Sequence, residues 1–158
     1  MNDRFRFRFR VWDKSFCRMI YNIFFFWKEN TITVYELHKD ASKSYLPNSH
    51  IVLEQCTGLK DKNGKLIYEG DIVKMDSGCM CADIKKLEMP CIVEWGDFGF
   101  FFHYPQIEGE REYAGWNSCA EYEVIGNIHE NPELLEDTTN CSQLNEVVTN
   151  CNQSEVDK

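Results

Sequence analysis

Residues 4–13, "RFRFRFRVWD", alternate Arg4, Arg6, Arg8 and Arg10 with Phe5, Phe7, Phe9 and Val11. A period of two predicts a β-strand with one buried face. On this reading the four arginines share the other face, a solvated edge whose charges pair with the acidic C-terminal part and discourage sheet-to-sheet aggregation. Two further runs, "RMIYNIFFFW" (18–27) and "TITVYEL" (31–37), are rich in aromatic and β-branched residues. Residues 28–30 separate them, so they predict a hairpin. "IVLEQCTGL" (51–59) and "EYEVIGNI" (121–128) predict strands. "CIVEW" and "FFFHY" predict a third hairpin around the four-residue loop Gly96-Asp97-Phe98-Gly99. Between these runs, residues 39–50 read as a polar loop containing Pro47, 76–90 as an irregular connection or short helix, and 105–119 as a long polar loop.

The stretch "TGLKDKNGKLIYEGDIVK" (57–74) holds two corners. Asp61-Lys62-Asn63-Gly64 is a turn sequence, because Asn and Gly tolerate positive φ. At Gly70-Asp71 glycine supplies the bend, and the carboxylate is placed to accept from nearby backbone N–H groups. Corners this close, joined by a short strand, suit a small and strongly bent barrel. A phosphate-binding loop does not fit. Five residues separate Gly58 from Gly64, and Lys65 is followed by Leu66, which cannot ligate magnesium.

After the last strand, Asn131-Pro132-Glu133 reads as an N-cap, a proline at the first helical position and an acid in the first turn, predicting a short helix "PELLE". Beyond it the chain turns to Asn, Thr, Ser, Gln and acids, the composition of a disordered tail. The expectation is a mainly β fold: one small bent β-barrel, SH3-like or related, over residues 1–136, with a short C-terminal helix, and a polar tail over 137–158.

Charge changes this picture along the chain. The net charge is −9, with 17 basic and 26 acidic residues, and the basic ones crowd the first 28 positions. An acidic whole argues against a general nucleic-acid binder, since such affinity comes mostly from phosphate neutralisation. The N-terminal arginines are nevertheless a candidate anion or nucleic-acid stripe. Eight cysteines would suggest a disulfide framework in a secreted chain. The apolar run Met19–Trp27 is far shorter than the roughly 20 residues that span a bilayer, and no cleavage site follows it. The expectation is therefore reduced thiols, a cytoplasmic location and no membrane association.

Candidate chemistry is thin. Cys79, Cys81, Cys91 and His103 could supply four zinc ligands, but their spacing matches no familiar pattern, and a stray cysteine pair in a loop is the commoner explanation. His38, His50, His103 and His129 sit in no catalytic signature. Acids such as Glu108, Glu110, Glu112, Glu121 and Glu123 fit an acidic surface as well as a mechanism. The sequence makes no case for an enzyme, and no cofactor is expected. The aromatic strands exceed what one small core needs, which marks Phe24, Phe26, Phe100 and Phe102, together with Trp116, as candidate interface residues. Core packing is the competing explanation.

"FRVWD", the 57–74 stretch, "IVEW" and "EYEVIGNIHENPELLE", in that order and spacing, resemble the YopX family of small phage and prophage proteins. The resemblance covers about residues 6–136. It implies a compact β-rich domain, a homo-oligomer, and expression inside an infected host, and it implies no particular activity. The repeated Arg-Phe at the N-terminus, Cys79 and Cys81 in the connection, and the long tail depart from the family pattern, so no role carries over to them. The leading expectation is a non-catalytic module that binds a host protein or assembles with itself. One alternative is a nucleotide or other anion bound at a subunit interface by Arg4, Arg6, Arg8 or Arg10. The other is nucleic-acid binding through the same strand.

Overall fold

The computed structural model describes residues 8–28, 31–76, 89–109, 111–113 and 121–136. The chain is mainly β, with twelve strands among these residues. The first half runs β1 (Phe9–Asp13), β2 (Arg18–Ile20), β3 (Ile23–Lys28), β4 (Thr31–Leu37), β5 (Lys43–Leu46) and β6 (Ile51–Lys60). The second half runs β7 (Leu66–Tyr68), β8 (Asp71–Asp76), β9 (Cys91–Gly96), β10 (Gly99–His103), β11 (Arg111–Tyr113) and β12 (Glu121–Asn127). They form three antiparallel sheets, ordered β2-β1-β6-β7, β11-β10-β9-β8-β12 and β3-β4-β5. These orders are open, so a curled half-barrel stands where a small bent barrel, SH3-like or related, was expected.

The β3–β4 and β9–β10 hairpins follow the sequence reading, except that residues 18–20, expected as part of the first of them, form β2 and pair with β1. Lys28 pairs with Thr31 across the β3–β4 turn. Gly96 pairs with Gly99, so the β9–β10 turn contains only Asp97 and Phe98, two residues fewer than expected. The polar stretch 39–50 is not all loop: β5 adds a third strand to the β3–β4 hairpin, and a single 3-10 turn follows at Asn48–His50. Residues 105–119 likewise contain β11. Polar composition hid both strands because each lies at the edge of its sheet, where one face and one backbone edge meet water.

The predicted C-terminal helix is one 3-10 turn, Pro132–Leu135. Asn131 makes no side-chain capping bond. Its side chain lies instead across Gly126, where a Cβ would collide with Asn131 Oδ1 and the Leu134 side chain. The turn is thus fastened by glycine at the irregularity in β12, between Val124 and Gly126, rather than by helix propensity.

Two apolar clusters form the core. The larger gathers Ile67, Val73, Met75, Cys91, Val93, Phe102, Tyr104 and Tyr122 under the five-stranded sheet. The smaller joins Val11 and Ile20 to Val34 and Leu46. Strand β1 lies between them. Its Phe9 packs edge-on against Phe25 of β3 at 5.3 Å, and Val11 enters the smaller cluster. Its other face, carrying Arg10 and Trp12, turns toward β8 and the end of β12.

Candidate functional site

The expected solvated arginine face is therefore corrected at Arg10. Arg10 is 2% exposed. Period two specifies which side chains share a face, not whether that face meets water, and here a second sheet covers it. The antiparallel register sets Arg10 of β1 directly opposite Glu54 of β6. Its Nε donates to Glu54 Oε2 at 2.6 Å, and Nη2 lies 2.7 Å from Asp71 Oδ1 as an ion pair. Nη2 also donates to the Glu69 carbonyl at 3.1 Å, and the guanidinium lies 4.8 Å from the Tyr68 ring centroid. Glu54 Oε1 is 2.9 Å from His129 Nε2, and the imidazole stacks on Trp12 at 5.1 Å with planes 4° apart. Gly70 takes a positive φ of 77° at the corner before β8, and a Cβ there would overlap Glu54 Oε1.

Two carboxylates thus surround one guanidinium out of water. Burial pulls Arg10 down, but Asp71 and Glu54 outweigh it and hold its pKa above the ordinary value. Burial pushes Glu54 and Asp71 above theirs, with Arg10 opposing incompletely. The cluster joins β1, β6, the β7–β8 corner and the turn after β12. It is a structural lock whose arginine has no lone access to an external phosphate. Glu54 and Tyr68 were not singled out from the sequence, Asp71 was expected only as a corner residue, and His129 was named only as a histidine in no catalytic signature. The legible signal was Glu54, an acid inside the apolar run "IVLEQC", opposite in sign to the basic strand it pairs with.

Asp71 does accept the backbone bond expected at its corner, from Tyr68 N to Oδ2 at 2.8 Å. The other corner goes further than expected. Asp61 accepts from Asn63 N and Lys65 N at 2.9 and 2.8 Å, and its second oxygen accepts from Val124 N of β12 at 3.2 Å. Burial alone would raise this carboxyl, but those donors hold it below its ordinary range. Both corners tie the two larger sheets together.

Of the remaining candidates, Arg8 is exposed beside the start of β1, while Arg4 and Arg6 lie outside the described residues. Cys79, Cys81 and Trp116 also lie outside them. Cys91 and His103 are described and do not converge. Cys91 is buried, with its thiol donating to the Val73 carbonyl at 3.4 Å, whereas His103 pairs with Glu94 at 3.0 Å on the opposite face of the sheet. His103 shares that face with Ile92, its cross-strand partner. Among the described residues no group of three or more His, Cys, Asp or Glu is arranged to hold a metal ion.

The aromatic candidates divide. Phe102 is fully buried and belongs to the core, in contact with Tyr122 at 4.3 Å between ring centroids, so it is not an interface residue. Phe100 is half-buried, edge-on to Trp95. Phe24 and Phe26 are 43% and 54% exposed. Register places Phe24 opposite Tyr35 and Tyr35 opposite Tyr45, so an aromatic row crosses all three strands of β3-β4-β5 on the face away from the smaller core. Phe26 adjoins it, and Lys43 Nζ sits 4.2 Å from the Phe24 ring centroid.

The family profile described as YopX protein matches residues 8–136. The SPbeta prophage-derived protein YopX of Bacillus subtilis (strain 168) is 37% identical over 75 residues, a segment covering 46% of this chain. The chain spans about half of that relative's length, 52%. The crystal structure of protein YopX from Bacillus subtilis superposes with a TM-score of 0.58 at 26% identity, covering 81% of this chain and 95% of that one. Protein EF1440 from Enterococcus faecalis superposes at 0.53 with 28% identity, covering 82% and 97%.

Proposed function

The chain belongs to the YopX family, and from that premise we propose that it is a prophage accessory protein that works by binding rather than turnover. It assembles with a second copy of itself through the outer face of β3-β4-β5 and offers the assembled surface to a host protein. The observation that supports this is the in-register row Phe24–Tyr35–Tyr45 with Phe26 beside it. The outer face of a three-stranded antiparallel sheet is ordinarily polar, and an apolar one is the mark of an interaction surface. Rings of this kind are the usual anchors of protein interfaces, because each buries a large area at little entropic cost. The prophage setting rests on the Bacillus relative's origin. The thiols of Cys17 and Cys56 suit the reducing interior of a host cell, and among the described residues no helix is long and apolar enough to cross a membrane.

Light scattering across a concentration series tests this reading. The wild-type chain is expected to exceed the mass of one 18.6 kDa chain, and the double variant Phe26→Ser, Tyr45→Ser to return to it. Equal masses for both would overturn self-assembly through this face. Nucleic-acid binding by the arginine stripe is the weaker reading, since Arg10 is committed to Glu54 and Asp71.

A further inference from the structure

A groove of about 540 Å³ lies between the start of β1, the β2–β3 connection and the end of β7, where Tyr68 separates it from the Arg10 cluster. Arg8, Tyr21, Phe24 and Tyr68 stand around it, and the Phe9–Phe25 pair completes its wall. Tyr21 and Tyr68 meet edge to face at 6.3 Å. Apart from Arg8, every side chain lining the groove is aromatic or aliphatic. Volumes of roughly 300–1,000 Å³ are those of small-ligand sites, in which aromatic walls supply area and a few polar groups fix orientation.

We propose that this groove binds a mononucleotide, its base lying against the exposed rings of Tyr21 and Phe24 above the buried Tyr68, and its phosphate at Arg8. The chemistry of the lining selects the ligand. Aromatic rings accept a planar base, and guanidinium is the side chain best shaped to hold a phosphate. Lys43, over the Phe24 ring, adds a second positive charge beside the groove. A free mononucleotide is favoured over a strand because the groove is the size of one small ligand and the chain carries a net charge of −9, which repels a polyanion. This site adjoins the proposed assembly face and shares one residue with it. Phe24 touches both surfaces, so it is left unchanged in the test.

Calorimetric titration of the full chain with adenosine, guanosine, cytidine and uridine monophosphates, and with a single-stranded oligonucleotide, tests the proposal. At least one mononucleotide is expected to bind. Arg8→Glu should weaken it about tenfold or more, the factor that 1.4 kcal/mol corresponds to. Tyr21→Ala should weaken it as well, while Phe26→Ser leaves it unchanged. Arg8 and Tyr21 are exposed, so both variants are expected to keep the wild-type circular-dichroism spectrum. No heat with any mononucleotide at millimolar concentration would overturn the proposal. So would binding indifferent to both Arg8→Glu and Tyr21→Ala, or an oligonucleotide that binds tighter than its own monomers.

Discussion

Arg8 and Arg10 are two residues apart, chemically identical, and placed on the same strand face by the alternation, yet their environments differ almost completely. Arg10→Ala leaves Glu54 and Asp71 buried with an uncompensated charge, and breaking such a pair costs about 3–5 kcal/mol. Arg8→Ala changes an exposed side chain and should cost no more than about 0.5 kcal/mol. Urea denaturation of the two variants, read as midpoints at unchanged slope, checks the contrast. Gly70→Ala should also destabilise, by more than about 1 kcal/mol, since the new methyl meets both an unfavourable positive φ and the Glu54 carboxylate. The carboxyls give opposite pH dependences. Asp61 is held below its ordinary 3.8, so its contribution is present above that value and lost as pH falls through the folded one. Glu54 and Asp71 are raised above 4.5 and 3.8, so their contribution is present below those values and lost as pH rises through the folded ones. Stability measured against pH should therefore lose part of its acid limb in Asp61→Ala, and part of its decline above the ordinary carboxylate range in Glu54→Gln.

At the scale of elements, what the sequence discloses is what local chemistry controls. The β3–β4 hairpin, the Asn63-Gly64 turn and the Gly70-Asp71 corner were legible because aromatic runs and positive-φ residues act over a few positions. β5 and β11 were not, because edge strands are held by a neighbour distant from any local signal. The C-terminal turn shows the same limit. Its capping pattern reads as a helix, but Asn131 spends its side chain on Gly126, a contact set by the irregularity in β12. Of the candidate site, Phe24 and Phe26 were found as exposed aromatics, while Phe102, equally aromatic and on a similar strand, is core. The pairing of Phe102 with Val93 and its contact with Tyr122, both buried, separate the cases. Glu54, Asp71 and His129 come from three strands or turns far apart in the chain, and nothing at each position alone announces that they meet.

At the scale of the molecule, one strand pair organises the rest. β1 and β6 form a middle layer, apolar toward β3-β4-β5 and charged toward the five-stranded sheet, with the Arg10 cluster locking the second contact. On the reading proposed above, function falls to surfaces, and among the described residues an exposed aromatic row crosses the outer face of the β3–β5 sheet. Stable interfaces bury roughly 1,200–2,000 Å² in total, and a row of Phe and Tyr repeated on two copies supplies a large share of it. The direct test is the solution mass of the wild-type chain beside that of Phe26→Ser, Tyr45→Ser. A wild-type mass that rises with concentration to a multiple of 18.6 kDa, and falls to a single chain in the variant, is the predicted result. A wild-type chain that stays at 18.6 kDa throughout the series would contradict the account.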